Sequence, residues 1–143
     1  MLQGQFDFEP CDAVRSFADA HGMAFRGHNL CWGEYNPAWL EALDGHEKRG
    51  ALTSHIAAVA GRYGDAAFAW DVVNEAVADG PCAGASFCFK NSTWYPAVPT
   101  FLEDAFFAAR AACPDCQLFY NDYNIASDRY LASEEAPGAY MYS

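Results

Sequence analysis

Apolar residues along the chain fall into two patterns, short continuous runs and stripes at helical spacing. The three runs are rich in aliphatic and aromatic residues, and such runs predict strands that are buried on both faces. They start about 45 to 50 residues apart, which leaves room for a helix between one strand and the next. The predicted strands are Met23–Trp32, Ala67–Val77 and Gln117–Ile125.

Stripes at a period of 3.6 residues predict three helices. The first covers Pro10–His21 and ends before Gly22, a residue typical of helix C-termini. Thr53 is predicted to cap the second, because its hydroxyl can accept from an unpaired backbone N–H. The third covers Val98–Ala112. The inward residues are predicted to be Ala13, Val14, Phe17, Ala18; Ile56, Val59, Ala60, Tyr63; and Val98, Phe101, Leu102, Ala105, Ala109, Ala112.

Strands that alternate with helices across long connections predict a parallel sheet of the α/β class. An open doubly wound sheet usually carries a glycine-rich phosphate loop after its first strand, and the sequence has none. A (β/α)8 barrel is therefore favoured. Eight units of this length would need about 360 residues, within the range of such barrels. We expect residues 1–143 to form one domain that is part of such a barrel.

The composition narrows the choice of partner. The chain has 19 acidic and 8 basic residues, for a formal charge of −11, whereas nucleic-acid-binding proteins need a basic face. A neutral substrate such as a sugar is compatible with this charge. No run approaches the roughly 20 apolar residues of a membrane span. The N-terminus shows no signal peptide, because it has neither a basic nor an apolar segment.

Six cysteines and one sequon bear on the compartment. Cys82 and Cys88 flank a glycine-containing stretch that a disulfide could close. The Cys113–Cys116 spacing is also found in redox and metal sites, but nothing completes a zinc site. We interpret this pair as local cysteines at a helix end, free or bridged, and expect neither a metal nor a cofactor. Asn91 begins a glycosylation sequon, which is compatible with secretion.

Polar and aromatic side chains follow each predicted strand. The second strand is followed by an amide and a carboxyl group, Asn74 and Glu75, and in barrels the carboxyl ends of strands carry the chemistry. Glu75 is therefore the first candidate catalyst. Glycoside cleavage uses two carboxyl groups, and Glu75 suits the one that protonates the leaving oxygen. The same strand ends hold His28 and flat rings on which sugars can stack: Trp32, Tyr35, Trp39 and Tyr123.

Three ordered motifs carry a resemblance to a known family. Arg26–Trp32 with Pro37–Trp39, then Trp70–Glu75, then Tyr120–Asn124, resemble consecutive strand motifs of the family 10 glycoside hydrolases. These are endo-β-1,4-xylanases with a (β/α)8 barrel and a retaining mechanism. The resemblance covers nearly the whole chain and implies that it holds about strands 3 to 5 of the barrel, with flanking helices.

The resemblance implies roles for individual residues. Glu75 matches the acid/base, and Asn74 matches the amide that binds the sugar 2-hydroxyl in subsite −1. The other substrate-binding residues it implies are His28 and Trp32 on the glycone side, and Tyr123 and Asn124 on the aglycone side. Xylan and xylo-oligosaccharides are the expected substrates, and the parent protein is expected to be extracellular.

Two features depart from the family pattern. Gly33 stands where the family usually has a second histidine, so one substrate contact is lost or replaced. The family nucleophile lies at the end of strand 7, and the chain reaches Ser143 shortly after strand 5. Asp122 is an alternative second carboxylate, but the resemblance places binding at its neighbour Tyr123. We therefore expect a fragment with the acid/base and without the nucleophile.

Two other functions stay open. The chain could be a non-catalytic carbohydrate-binding remnant, or part of another barrel β-1,4-glycanase such as a glucanase. Asp71 lies within a strand, where a hydrogen-bonded structural role is expected. Trp70 and Trp94 are expected to pack in the interior rather than to bind sugar.

Overall fold

The described residues fold around a three-stranded parallel sheet. The computed structural model describes residues 3–80, 82–85 and 87–123. The strands stand in the order β1-β2-β3, so each is the sheet neighbour of the next along the chain. Their bounds are β1 Phe25–Trp32, β2 Ala67–Asn74 and β3 Gln117–Asn121. The predicted α/β class with a parallel sheet is confirmed, although β2 ends three residues before the predicted Val77.

The register of the sheet aligns the ends of the strands. Trp32 of β1 stands opposite Asn74 of β2, and Asn74 in turn stands opposite Asn121 of β3. Each of the three residues is the last of its strand. Since all three strands run in the same direction, whatever follows them emerges at one edge of the sheet.

In the part of the chain that the structure describes, four helices accompany the sheet. Their bounds are α1 Glu9–Ala20, α2 Ala38–Glu41, α3 Gly45–Tyr63 and α4 Phe101–Ala112. Helices α3 and α4 pack on the sheet, and their buried residues form one core with those of β2. That core includes Leu52, Ile56 and Ala60 of α3, Ala105 and Ala109 of α4, and Trp70, Val72 and Val73 of β2. None of the helices in the described ranges is long and apolar enough to cross a membrane.

The start of α3 corrects one prediction. Asp44, not Thr53, caps this helix: the Asp44 side chain accepts from the N–H of Glu47 at 2.8 Å, and the Glu47 carboxylate accepts from the N–H of Asp44 at 3.0 Å. This reciprocal pair satisfies two backbone donors at once. The Thr53 hydroxyl lies inside the helix and donates to the Arg49 carbonyl at 3.1 Å. The N-cap therefore lies nine residues earlier than predicted.

Helix α4 begins at Phe101, three residues after the predicted start at Val98. The predicted apolar stripe is confirmed for Val98, Phe101, Ala105 and Ala109, which are all buried. An ion pair between Arg49 of α3 and Asp104 of α4 joins the two helices. The hydrogen bonds from Arg49 lower the pKa of Asp104 below its ordinary value.

The inner face predicted for α1 is wrong for three of its four residues. Only Ala18 is buried, whereas Ala13 is exposed and Val14 and Phe17 are 60% and 57% exposed. Asp12 on the other side of the helix accepts hydrogen bonds from Arg62 and, at 2.9 Å, from the Tyr63 hydroxyl. These contacts orient α1 so that its apolar stripe is turned away from the core.

Gly27 in β1 has no side chain, and this lets the ring of Trp70 come close to the backbone of β1. A Cβ atom at this position would lie 2.0 Å from the ring of Trp70, the residue opposite it in β2. Trp70 is 4% exposed and lies in the core, as predicted. Glycine is therefore required here because any Cβ atom would overlap the indole.

Gly27→Ala is expected to destabilise the protein by about 1–3 kcal/mol, because the buried indole must move to make room. Gly50→Ala is the matched control. Gly50 lies inside α3 with no atom within 4 Å of the added methyl group, so alanine should stabilise the helix by about 0.5–1 kcal/mol. Denaturant unfolding of both variants measures the difference. Equal effects of the two substitutions would contradict the close-approach role of Gly27.

Candidate active site

The candidate site is built on the row of residues that ends the three strands. Asn74 is 2% exposed, so its amide must find partners within the protein. Its Oδ1 accepts from Nδ2 of Asn121 at 2.7 Å. This bond fixes the orientation of the amide and leaves the Nδ2 hydrogens of Asn74 as donors for a hydroxyl oxygen.

Glu75 follows directly and turns the chain out of the sheet. Its φ of 54° lies in the left-handed region, which non-glycine residues seldom adopt. Its N–H donates to the Asn121 carbonyl at 2.9 Å. The half-buried Glu75 lines a cavity of about 70 Å³ together with residues from three segments: Cys31, Trp32, Gly33 and Glu34; Val73, Asn74 and Ala76; and Lys90, Asn91, Ser92, Trp94 and Phe101. The structure thus brings three predicted site residues, Trp32, Asn74 and Glu75, to one cavity.

The backbone beyond Glu75 is held by a tyrosine that the sequence analysis assigned no role. The hydroxyl of Tyr120 accepts from the N–H groups of both Ala76 and Val77, each at 3.0 Å. The same hydroxyl donates to Asp122. The sequence contains one weak indication of this contact. Tyr120 and Asp122 are two residues apart, and side chains at that spacing in an extended segment share a face.

Asp122 is engaged by these neighbours rather than open to a ligand. Its two carboxylate oxygens accept from the Tyr120 hydroxyl and from the Tyr123 N–H, the latter at 2.9 Å. Burial raises the pKa of Asp122 above its ordinary value, the two hydrogen bonds oppose that rise, and the nearby Glu75 carboxylate adds to it. Asp122 therefore suits a supporting role better than that of a second catalytic carboxylate.

His28 lies on an ion-pair cluster within the sheet. Its Nδ1 lies 3.0 Å from Oδ2 of Asp71, and Arg26 donates to the other oxygen of the same carboxylate. Asp71 is buried and its two partners are half exposed. Nδ1 of His28 can donate to the Asp71 carboxylate, and Nε2 points away from it toward the Asn29 amide, 3.5 Å away. The structural role expected of Asp71 agrees with these contacts, and His28 lies outside the lining of the Glu75 cavity.

Tyr123 lies in a second polar cluster beside the cavity. Its hydroxyl donates to Asp79 and accepts from Nζ of Lys90 at 3.3 Å, and the ammonium stands 4.7 Å from the ring centroid. The bond to Asp79 is the main cause that raises the pKa of the Tyr123 hydroxyl. Lys90 also lines the cavity of Glu75, so it connects the two. Asn124, the remaining predicted binding residue, lies outside the described residues.

Aromatic rings extend the site on the side of β1. The rings of Trp32 and Tyr35 are 5.1 Å apart, and the carbonyl of Trp32 accepts from the indole N–H of Trp94 at 2.7 Å. Trp32, Tyr35 and Trp39 all line a larger cavity of about 790 Å³ that reaches His55 of α3. Trp32 therefore stands between the two cavities. Trp94 is buried, as expected of a packing residue.

This geometry can hold a neutral hydroxylated ligand and present a carboxyl group to it. The donors are fixed amides, the flat surfaces are aromatic, and Glu75 opens into the cavity. Within the described ranges no three or more histidine, cysteine, aspartate or glutamate side chains are grouped so that they could hold a metal ion.

Comparison with known proteins gives one consistent result. The family model described as glycosyl hydrolase family 10 matches residues 1–136. A β-1,4-xylanase from Dictyoglomus thermophilum is 40% identical over 121 residues, which are 84% of this chain and 33% of that protein. The structure of a psychrophilic glycoside hydrolase family 10 endo-β-1,4-xylanase superposes with a TM-score of 0.80 at 39% identity, covering 87% of this chain and 40% of that one.

A third relative was solved with a sugar bound. Xylanase 10C from Cellvibrio japonicus, in complex with xylopentaose, has a TM-score of 0.79 at 30% identity and is matched over 92% of this chain and 28% of its own. The chain thus spans about a third of the length of these relatives.

Thiol reactivity tests how closed the site is behind Glu75. Cys82–Cys88 and Cys113–Cys116 are disulfides, Cys11 is exposed, and Cys31, which lines the cavity, is 1% exposed. Burial raises the pKa of the Cys31 thiol to about 12. Because only the thiolate is alkylated, iodoacetamide at about pH 8 should modify Cys11 alone in the folded protein. Peptide mass spectrometry reads this out, and Cys31 should react after unfolding. Labelling of Cys31 in the native state would show that the site is open from behind.

Proposed function

The chain belongs to glycosyl hydrolase family 10, and on that basis we propose that it forms the part of an endo-β-1,4-xylanase barrel that carries the acid/base glutamate. The observation that carries the proposal is the placement of Asn74 and Glu75 where β2 ends, in one cavity with Trp32. The activity is that of the whole protein, of which this chain supplies the central strands.

In this proposal Glu75 acts twice. It first gives its proton to the glycosidic oxygen as the bond to the anomeric carbon breaks, while a second carboxylate attacks that carbon from the opposite side. The resulting glycosyl-enzyme is then cleaved by water, whose proton returns to Glu75. The second carboxylate belongs to a later strand of the family barrel. The net result is hydrolysis with retention of configuration.

Substrate-binding roles follow from the neighbouring side chains. The fixed amide of Asn74 can donate to the sugar 2-hydroxyl through Nδ2, because its oxygen is already taken by Asn121. Trp32 offers a ring face, and His28 a ring nitrogen, on the glycone side. We assign Tyr123, and Asn124 from the family motif, to the aglycone side.

Xylan and xylo-oligosaccharides are the proposed substrates. The relatives that match over most of this chain are named xylanases, which supports xylan over the glucan of another β-1,4-glycanase. Conversion assays on xylan, carboxymethylcellulose and mannan with the whole protein decide among these polymers, and a preference for carboxymethylcellulose would overturn the assignment.

We also place the parent protein outside the cell. Two disulfides among the described residues are typical of an oxidising compartment. The sequon at Asn91 is weak support for secretion, because Asn91 lines the cavity of Glu75. A glycan on that side chain would crowd the site.

Glu75→Gln in the whole protein is expected to lower kcat/KM on xylan by about 10²- to 10⁴-fold, because the amide cannot give the leaving oxygen a proton. Glu103→Gln is the matched control, since Glu103 lies exposed in the first turn of α4. Release of reducing sugar measures both. Activity in Glu75→Gln equal to that of the control would exclude the proposed acid/base.

The polypeptide of these 143 residues by itself is expected to release no reducing sugar from xylan, because the retaining mechanism needs two carboxyl groups across the bond. Calorimetry with xylo-oligosaccharides separates this from the non-catalytic alternative. Saturable binding by the polypeptide, combined with an inactive whole protein, would favour a carbohydrate-binding remnant. Hydrolysis by the polypeptide that Glu75→Gln abolishes would contradict the expectation.

A further inference from the structure

The turn that carries Glu75 is an unfavourable conformation that must be held from outside. Its φ of 54° places a non-glycine residue in the left-handed region. Such conformations persist where the surrounding structure determines them, and they occur often at functional sites. The question is therefore which groups hold this turn.

Three successive backbone N–H groups connect this turn to β3. Those of Glu75, Ala76 and Val77 all donate to residues at the end of β3. The first goes to the Asn121 carbonyl at 2.9 Å and continues the ladder of the sheet. The other two go to the Tyr120 hydroxyl, each at 3.0 Å, at a point where β2 has already ended.

The hydroxyl of Tyr120 is fully used. It accepts two hydrogen bonds and donates its only proton to Asp122, so all of its bonding capacity is directed by neighbours. Asp122 is 9% exposed and is held in turn by the Tyr123 N–H. The chain of contacts runs from Asp122 through Tyr120 to the backbone that follows Glu75. We refer to these two side chains as the Tyr120–Asp122 clamp.

We propose that the Tyr120–Asp122 clamp positions Glu75 for proton transfer to the glycosidic oxygen, an inference that rests on the function proposed above. Tyr120 is a positioning residue. It acts on the backbone that fixes the direction of the Glu75 side chain. A general acid must lie within hydrogen-bond reach of the atom it protonates, and small misplacements of such a group cost rate steeply.

The test combines a variant that lacks the Tyr120 hydroxyl with substrates whose leaving groups differ in how much they need protonation. Tyr120→Phe in the whole protein leaves two N–H groups without their acceptor. Substrates are xylan and a series of aryl β-xylobiosides, from phenyl to 2,4-dinitrophenyl, whose leaving groups need progressively less protonation. The value of kcat/KM is compared, because it reports the step in which the aryl group departs and is not affected by slow hydrolysis of the glycosyl-enzyme.

The expected result is a selective loss. Tyr120→Phe should lower kcat/KM by about 10- to 100-fold for xylan and the phenyl substrate, and by less than about threefold for the dinitrophenyl substrate. Tyr63→Phe is the matched control, because it removes a hydroxyl bonded to Asp12 of α1 at a distance from the site. It should not discriminate among leaving groups. An equal loss on all substrates, or no loss, would overturn the positioning role of Tyr120.

Two further variants separate a failure of the clamp proposal from a failure of the proposed function and from a variant that does not fold. Glu75→Gln must show the same leaving-group selectivity, more strongly; if it does not, the proposed function fails and not merely the clamp. If circular dichroism shows that Tyr120→Phe does not fold, Asp122→Asn replaces it. This change keeps the shape of Asp122 and weakens its hold on Tyr120, so a smaller loss with the same selectivity is expected. A uniform loss in Asp122→Asn also counts against the proposal.

Discussion

Parallel pairing that aligns the ends of the three strands, across a local register shift in each ladder, is the constraint on which the site depends. It sets Trp32, Asn74 and Asn121 in one row across three strands, so that segments far apart in sequence leave the sheet at the same edge. A slip of one residue in β2 would turn Asn74 to the other face and separate its amide from that of Asn121. The direction of Glu75 and the small cavity beside it follow from the same alignment. The backbone hydrogen bonds of the sheet thus decide which residues meet at this edge.

The core beneath the sheet holds this register. The ring of Trp70 lies against Gly27, and Trp70 shares one core with large buried side chains of α3 such as Leu52 and Ile56. Side chains alternate along a strand, so burial of Trp70 and Val72 leaves Asp71 on the opposite face. There it binds Arg26 and His28. The alternation of residues in β2 therefore buries apolar side chains against the helices and places Asp71 next to Arg26 and His28.

Part of this architecture could be predicted from the sequence, and the rest could not for physical reasons. The strands and the position of Glu75 follow from apolar runs that end in polar residues. The start of α3 was missed because its first turns are polar, and the residue buried there, Lys48, is charged and pairs with Glu41. The apolar stripe of α1 was identified, but periodicity does not say what covers a stripe, and Phe17 is exposed. The role of Tyr120 depends on the reach of a phenol to a neighbouring backbone, which strand periodicity does not report.

The hydrogen bonds from Ala76 and Val77 to Tyr120 also bear on the order of events during synthesis. Donor and acceptor are 44 and 43 residues apart in sequence. Until β3 has left the ribosome, the turn at Glu75 lacks both of its acceptors, the Asn121 carbonyl and the Tyr120 hydroxyl. Contacts between distant segments must wait for loop closure, so they form late. The glutamate at the centre of the site therefore acquires its backbone conformation only after β3, further along the chain, has been synthesised.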